Sequence, residues 1–100
     1  MAFVLNVRMT AREGEEDRAA ELMEQLAAAT QQEPGNICWI GHRSTENPRT
    51  FMVYEQYRDE DAFKEHLNAP YGAPFNAALV PLIEEDASVL TFLDPLATKS

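Results

Sequence analysis

The run Thr50–Phe75, TFMVYEQYRDEDAFKEHLNAPYGAPF, decides the fold. Its first eight residues alternate: Phe51, Val53, Glu55 and Tyr57 point one way, and Met52, Tyr54 and Gln56 the other, as in a strand. Asp59 then stands where a helix N-cap belongs, with Glu60 and Asp61 in the first turn, where the helix dipole favours negative charge. Ala62, Phe63, His66 and Leu67 fall at helical spacing and form an inward stripe. Pro70, Gly72 and Pro74 interrupt the chain after it. The segment is therefore a strand, a tight acidic turn and a helix. It places one carboxylate, Glu55, in an apolar strand face and one imidazole, His66, on the inner side of the next helix.

Phe3–Met9 is a strand upstream of this segment, with Phe3, Leu5, Val7 and Met9 on one face and Val4, Asn6 and Arg8 on the other. Gly14 to about Gln31 is a helix whose buried stripe is Ala19, Leu22, Met23, Leu26 and Thr30; Pro34-Gly35 ends it. Ile37–Ser44 is a strand with Ile37, Trp39, Gly41 and Arg43 on one face. The turn residues Thr45–Arg49 make a hairpin loop to the strand Thr50–Tyr57. A short helix over Phe75–Ile83 turns Phe75, Ala78, Leu79 and Leu82 inward, with Pro81 straining its end. Ser88–Leu93 is the last strand, stopped by Asp94-Pro95.

The order β-α-β-β-α-(α)-β, with right-handed crossovers, builds a ferredoxin-like split βαβ fold of the α+β class. It has a four-stranded antiparallel sheet with its helices on one face. The strands are apolar or aromatic on both faces, so the uncovered face needs a partner, and a homodimer packed sheet to sheet supplies one.

One hundred residues make one domain, expected over residues 1–96 with a flexible tail at 97–100. A net charge of −9 argues against nucleic-acid and anionic-membrane partners. The single cysteine, Cys38, excludes an intrachain disulfide and a cysteine-based zinc site. Two histidines without HxH or HxxxH spacing offer no metal site, and no Gly-rich phosphate loop is present. Without a signal-like start or a membrane-length apolar run, a cytoplasmic location is expected.

Three stretches together resemble the antibiotic biosynthesis monooxygenase family, which includes small quinol and aromatic polyketide monooxygenases. They are Glu33-Pro34-Gly35 continuing to His42-Arg43-Ser44, Phe51-Met52-Val53-Tyr54-Glu55-Gln56-Tyr57, and Ala62-Phe63-Lys64-Glu65-His66-Leu67. The likeness covers Phe3–Leu93. It implies a dimeric α/β barrel and oxygenation of a quinol or polycyclic phenol by O₂ with no metal, flavin or haem. Glu55 and His66 match the family pattern, and Tyr57 takes an aromatic position that is often Trp. Where the family often carries a second His in a Thr-Pro-His segment, this chain has Ala69-Pro70-Tyr71. Haem-degrading relatives share the fold, and Asn6 resembles an Asn they use, but Phe75–Val80 lacks their haem-ligating His.

Such chemistry needs a base for a phenol proton, a dry pocket for the ring, and donors for the developing oxyanion. Imidazole is the natural base near neutral pH. His66 is therefore the candidate base, or else a half-buried histidine tied to a backbone carbonyl or to Glu55. Glu55 either orients His66 or ties strands together. Asn6 and Arg8 either bind a substrate oxygen or leave Arg8 paired with Glu55 or Glu84. Tyr57, Phe63, Tyr71 and Phe75, with Trp39 and Tyr54, either box a planar ring or belong to core and interface. Two other functions stay open on the residues alone: a non-oxidative isomerase of a small hydroxyketone or lactone, and a non-catalytic dimer that holds a small aromatic ligand.

Overall fold

The computed structural model describes residues 2–97. The expected flexible tail at 97–100 falls outside those residues except for Ala97. The elements in chain order are β1 (Phe3–Thr10), α1 (Glu16–Thr30), β2 (Asn36–Arg43), β3 (Thr50–Tyr57), α2 (Glu60–Leu67), α3 (Gly72–Leu79) with a 3₁₀ turn at Val80–Leu82, and β4 (Val89–Leu93). The four strands form one antiparallel sheet in the order β2-β3-β1-β4, the α+β ferredoxin-like arrangement expected from the sequence. The sheet is open, with β2 and β4 at its edges.

Register assigns the faces. Leu5 lies opposite Glu55, Val7 opposite Val53 and Met9 opposite Phe51. These residues share the face beneath the helices, and all are buried. Ala19, Leu22 and Met23 of α1, Ala62 and Phe63 of α2, and Leu79 complete one continuous core with them. Their burial is the main favourable contribution to folding, about 25 cal/mol for each Å² of apolar surface removed from water.

Local chemistry places the helices. Gly14 adopts φ +89°, the left-handed conformation glycine reaches without strain, and so turns β1 into α1. Asp59 caps α2: its Oδ1 accepts the Ala62 N–H at 2.8 Å. Gly35 has a different role. A Cβ there would lie 2.5 Å from the Ala62 Cβ, well inside contact distance, so only glycine lets the turn after α1 press against α2.

The structure departs from three sequence expectations. The helix expected over Phe75–Ile83 begins at Gly72 and ends at Leu79, because Pro74 fits the first turn of a helix, where no N–H is required, and the Pro81 region tightens to 3₁₀. Ile37 does not share the Trp39 face: it is the extra residue of a β-bulge between Asn36 and Cys38 and stands 59% exposed. Leu67 is 56% exposed rather than core, being on the last turn of α2 where the packed stripe runs out.

Candidate functional site

A cavity of about 370 Å³ opens between the helix-covered face of the sheet and the helices. Leu5, Val7 and Met9 of β1 and Val53 of β3 make its apolar floor. Phe63 and Leu67 of α2, with Tyr71 and Phe75 beyond it, form the facing wall. Into this apolar space project the Glu55 carboxyl and the His66 imidazole. Its size is that of a small-molecule site, with few polar groups in an apolar lining.

Glu55 is 5% exposed, and its Oε1 accepts the Tyr57 hydroxyl at 2.5 Å. Burial pushes its carboxyl above the usual carboxylate range. The Tyr57 hydrogen bond and the nearby His66 oppose that rise, while Glu33 adds to it. Burial likewise raises the Tyr57 phenol, with the Glu55 charge second, so Tyr57 stays a neutral donor. The pair is thus a fixed, desolvated hydrogen-bond unit. Its carboxyl holds its proton more tightly than a solvated carboxyl does, and in the protonated form it can donate to a ligand oxygen.

His66 is held from the other side. Its Nδ1 lies 3.1 and 3.2 Å from the two carboxylate oxygens of Glu33, with 14% and 19% of the two side chains exposed. The imidazole packs against the Tyr57 ring at 5.2 Å between centroids, against Phe63 at 6.2 Å and against Tyr71 at 6.4 Å. The Tyr71 hydroxyl donates to Thr30 Oγ1 at 3.4 Å, which ties that wall to α1.

The structure brings Glu55, Phe63, His66, Tyr71 and Phe75 to one cavity. Tyr57 stands behind it as the partner of Glu55 and His66. Asn6 and Arg8 are not brought there. Asn6 lies opposite Tyr54 and Arg8 opposite Met52, on the reverse face of the sheet from Leu5 and Glu55. Side chains alternate along a strand, so neither residue reaches the cavity within one chain, and an Arg8–Glu55 pair is excluded. Arg8 instead pairs loosely with Glu85 at 3.5 Å, while Glu84 pairs with Arg49 at 2.7 Å. Trp39 shares the Glu55 face, directly across the β2–β3 pairing, but does not line this cavity; Tyr54 is on the far face. The Trp39 indole N–H is buried without a hydrogen-bond partner among the described residues.

Sequence reading misses Glu33 as a partner of His66, although Pro34-Gly35 reads plainly as a helix stop. The signal is the glycine. Its close approach to Ala62 brings the turn beside α2, one helical turn before His66.

The chain is an α+β domain of the ferredoxin-like class, with a largely apolar cavity that holds a carboxyl and an imidazole. The family model for antibiotic biosynthesis monooxygenases matches residues 2–78, and the chain belongs to that family. No curated protein matches the sequence significantly. Among solved structures, Rv0793 of Mycobacterium tuberculosis superposes with a TM-score of 0.91 at 21% identity over 100% of both chains. PA3566 of Pseudomonas aeruginosa gives 0.88 at 23% identity over 96% of this chain and 95% of that one. A Nitrosomonas europaea protein bearing the same family's name gives 0.90 at 16% identity over 99% and 94%. These likenesses establish the fold.

Proposed function

We propose that this protein is a cofactor-independent monooxygenase that oxidises a quinol or polycyclic phenol with O₂. The observation that carries the reading is that His66 and Glu55 line one largely apolar cavity. His66 takes the phenol proton, which leaves a phenolate that gives an electron to O₂ far more readily than the phenol does. The apolar floor and the aromatic wall of Phe63, Tyr71 and Phe75 hold the ring and keep water out. In its protonated form Glu55, which accepts the Tyr57 hydroxyl on Oε1, donates a hydrogen bond to the oxygen on which negative charge builds. The ring radical and superoxide then combine at a ring carbon, which forms a C–O bond and, with a proton, a hydroperoxide. Its O–O bond breaks as that carbon gives up its hydrogen, so one oxygen stays as a carbonyl and the other leaves as water. The substrate supplies every electron that O₂ takes up, so no external reductant enters the balance.

The working unit in this reading is a homodimer in the cytoplasm. The reverse face of the sheet exposes Ile40, Met52, Val89 and Leu93, an apolar surface that a second copy would cover and so close two open sheets into a barrel. Asn6 and Arg8 then sit at the dimer interface rather than at the ring-binding cavity. Among the described residues, no helix is long and apolar enough to cross a membrane.

The test is O₂ uptake with reduced naphthoquinols and anthrone-type phenols, by the purified protein without added cofactor. Enzyme-dependent uptake that disappears in His66→Ala supports the reading. Turnover that continues without O₂ points to isomerisation instead, and ligand-induced stabilisation without any product points to a binding module.

A further inference from the structure

We propose that Glu33 is the positioning residue for His66: it binds the Nδ1–H, fixes the ring in that tautomer, and leaves Nε2 bare toward the cavity as the base. The inference deepens the oxygenase reading and rests on His66 acting as its base.

Three observations carry it. Both oxygens of Glu33 lie within hydrogen-bond distance of Nδ1, and the pair is mostly shielded from solvent. A ring nitrogen facing a carboxylate this closely carries the proton, which leaves the other nitrogen as the acceptor. The second observation is the division of surroundings. His66 lines the cavity between sheet and helices, whereas Glu33 lines a separate groove with Pro34, Gly35, Asn68 and Pro70. The imidazole therefore borders the cavity, with Glu33 on the side of the groove. A proton taken up at Nε2 makes an imidazolium that Glu33 stabilises, and the Nδ1 proton can leave through the carboxylate to water at the groove. The third is that the contact is built into the fold. Residues 33 apart in sequence meet because Gly35 packs on Ala62, and because the turn is closed by Asn36 N–H donating to the Glu33 carbonyl at 3.1 Å. Glu55, by contrast, is satisfied by Tyr57 and makes no hydrogen bond to the ring.

The experiment is two-dimensional ¹H–¹⁵N imidazole NMR on the full chain in mildly alkaline buffer. With only two histidines, a His42→Gln variant assigns the signals. The expected spectrum of wild type has His66 protonated at Nδ1 and bare at Nε2. In Glu33→Leu that preference disappears and Nε2–H is populated, while Glu33→Asp retains part of it. On the quinol that wild type oxidises, Glu33→Gln is expected to lower kcat by about ten- to a hundredfold, with KM changed by less than about twofold, as for carboxylates behind working histidines. A wild-type His66 protonated at Nε2 overturns the proposal without any variant. So does a tautomer that Glu33→Leu leaves unmoved, or an unchanged kcat in Glu33→Gln. A tautomer that responds to Glu33 in a protein that oxidises no quinol supports the positioning role and refutes the oxygenase reading instead.

Discussion

Replacing Tyr57 by phenylalanine removes one oxygen atom and leaves the ring that packs against Phe63 and His66. The lost hydroxyl donates to Glu55 at 2.5 Å, with Tyr57 fully buried and Glu55 5% exposed. Nothing in the apolar floor can replace that donor. Between neutral partners such a bond is worth about 1 kcal/mol, and to a charged partner about 1.5–3 kcal/mol. The penalty therefore depends on the state of Glu55. Burial raises the folded-state pKa of Glu55, so its contribution to stability is fully present below the unfolded carboxylate pKa and is lost as pH rises through the folded value. The Tyr57 hydroxyl works against that rise, and its removal lets the rise grow. Tyr57→Phe is thus expected to cost about 1 kcal/mol in acid and about 2 kcal/mol or more in alkali. In a domain of this size, 2 kcal/mol is roughly 8–16 °C in Tm. Urea titrations across pH measure both limits, and a double-mutant cycle with Glu55→Gln isolates the pair, since the pH dependence should vanish in the Gln background. A penalty that is equal at every pH, or that shrinks as pH rises, refutes the coupling of Tyr57 to a buried carboxyl.

Other perturbations test separate parts of the structure. Gly35→Ala is expected to destabilise by about 1–3 kcal/mol through overpacking on Ala62, and to weaken the Glu33–His66 contact, read as a changed His66 imidazole NMR signal. Leu79→Ala, at a fully buried position, should cost about 2–5 kcal/mol in chemical denaturation by leaving a cavity under α3. Wild type should sediment at about twice 11.3 kDa, and a Met52→Lys, Ile40→Lys double variant at the monomer mass with its far-UV circular dichroism retained. A wild-type monomer removes the sheet-to-sheet dimer.

Sequence carries the fold because its signals are local. The alternation in Thr50–Tyr57 sets β3 to the residue, and Asp59 sets the start of α2 through its own side-chain cap. The stripe from Ala19 to Thr30 sets the buried side of α1. What stays hidden depends on contacts that no period encodes. A single bulged residue, Ile37, breaks the alternation at the start of β2 and leaves the Trp39 face. Whether Asn6 and Arg8 face Glu55 depends on the β1–β3 register, which pairs Leu5, not Asn6, with Glu55. The cavity residues Glu55, Phe63, His66, Tyr71 and Phe75 are legible because they cluster within one stretch of chain. Glu33 is not, since it reaches His66 across α2 through a turn whose position depends on Gly35.

The most direct test of the central claim is an oxygen-electrode trace with a panel of reduced naphthoquinols and anthrone-type phenols, run with wild type and His66→Ala in the absence of added metal, flavin or haem. The expected result is stoichiometric O₂ consumption by wild type, formation of the ring-oxygenated product, and loss of both in the variant. A flat trace across the panel, or the same product formed under argon, contradicts it.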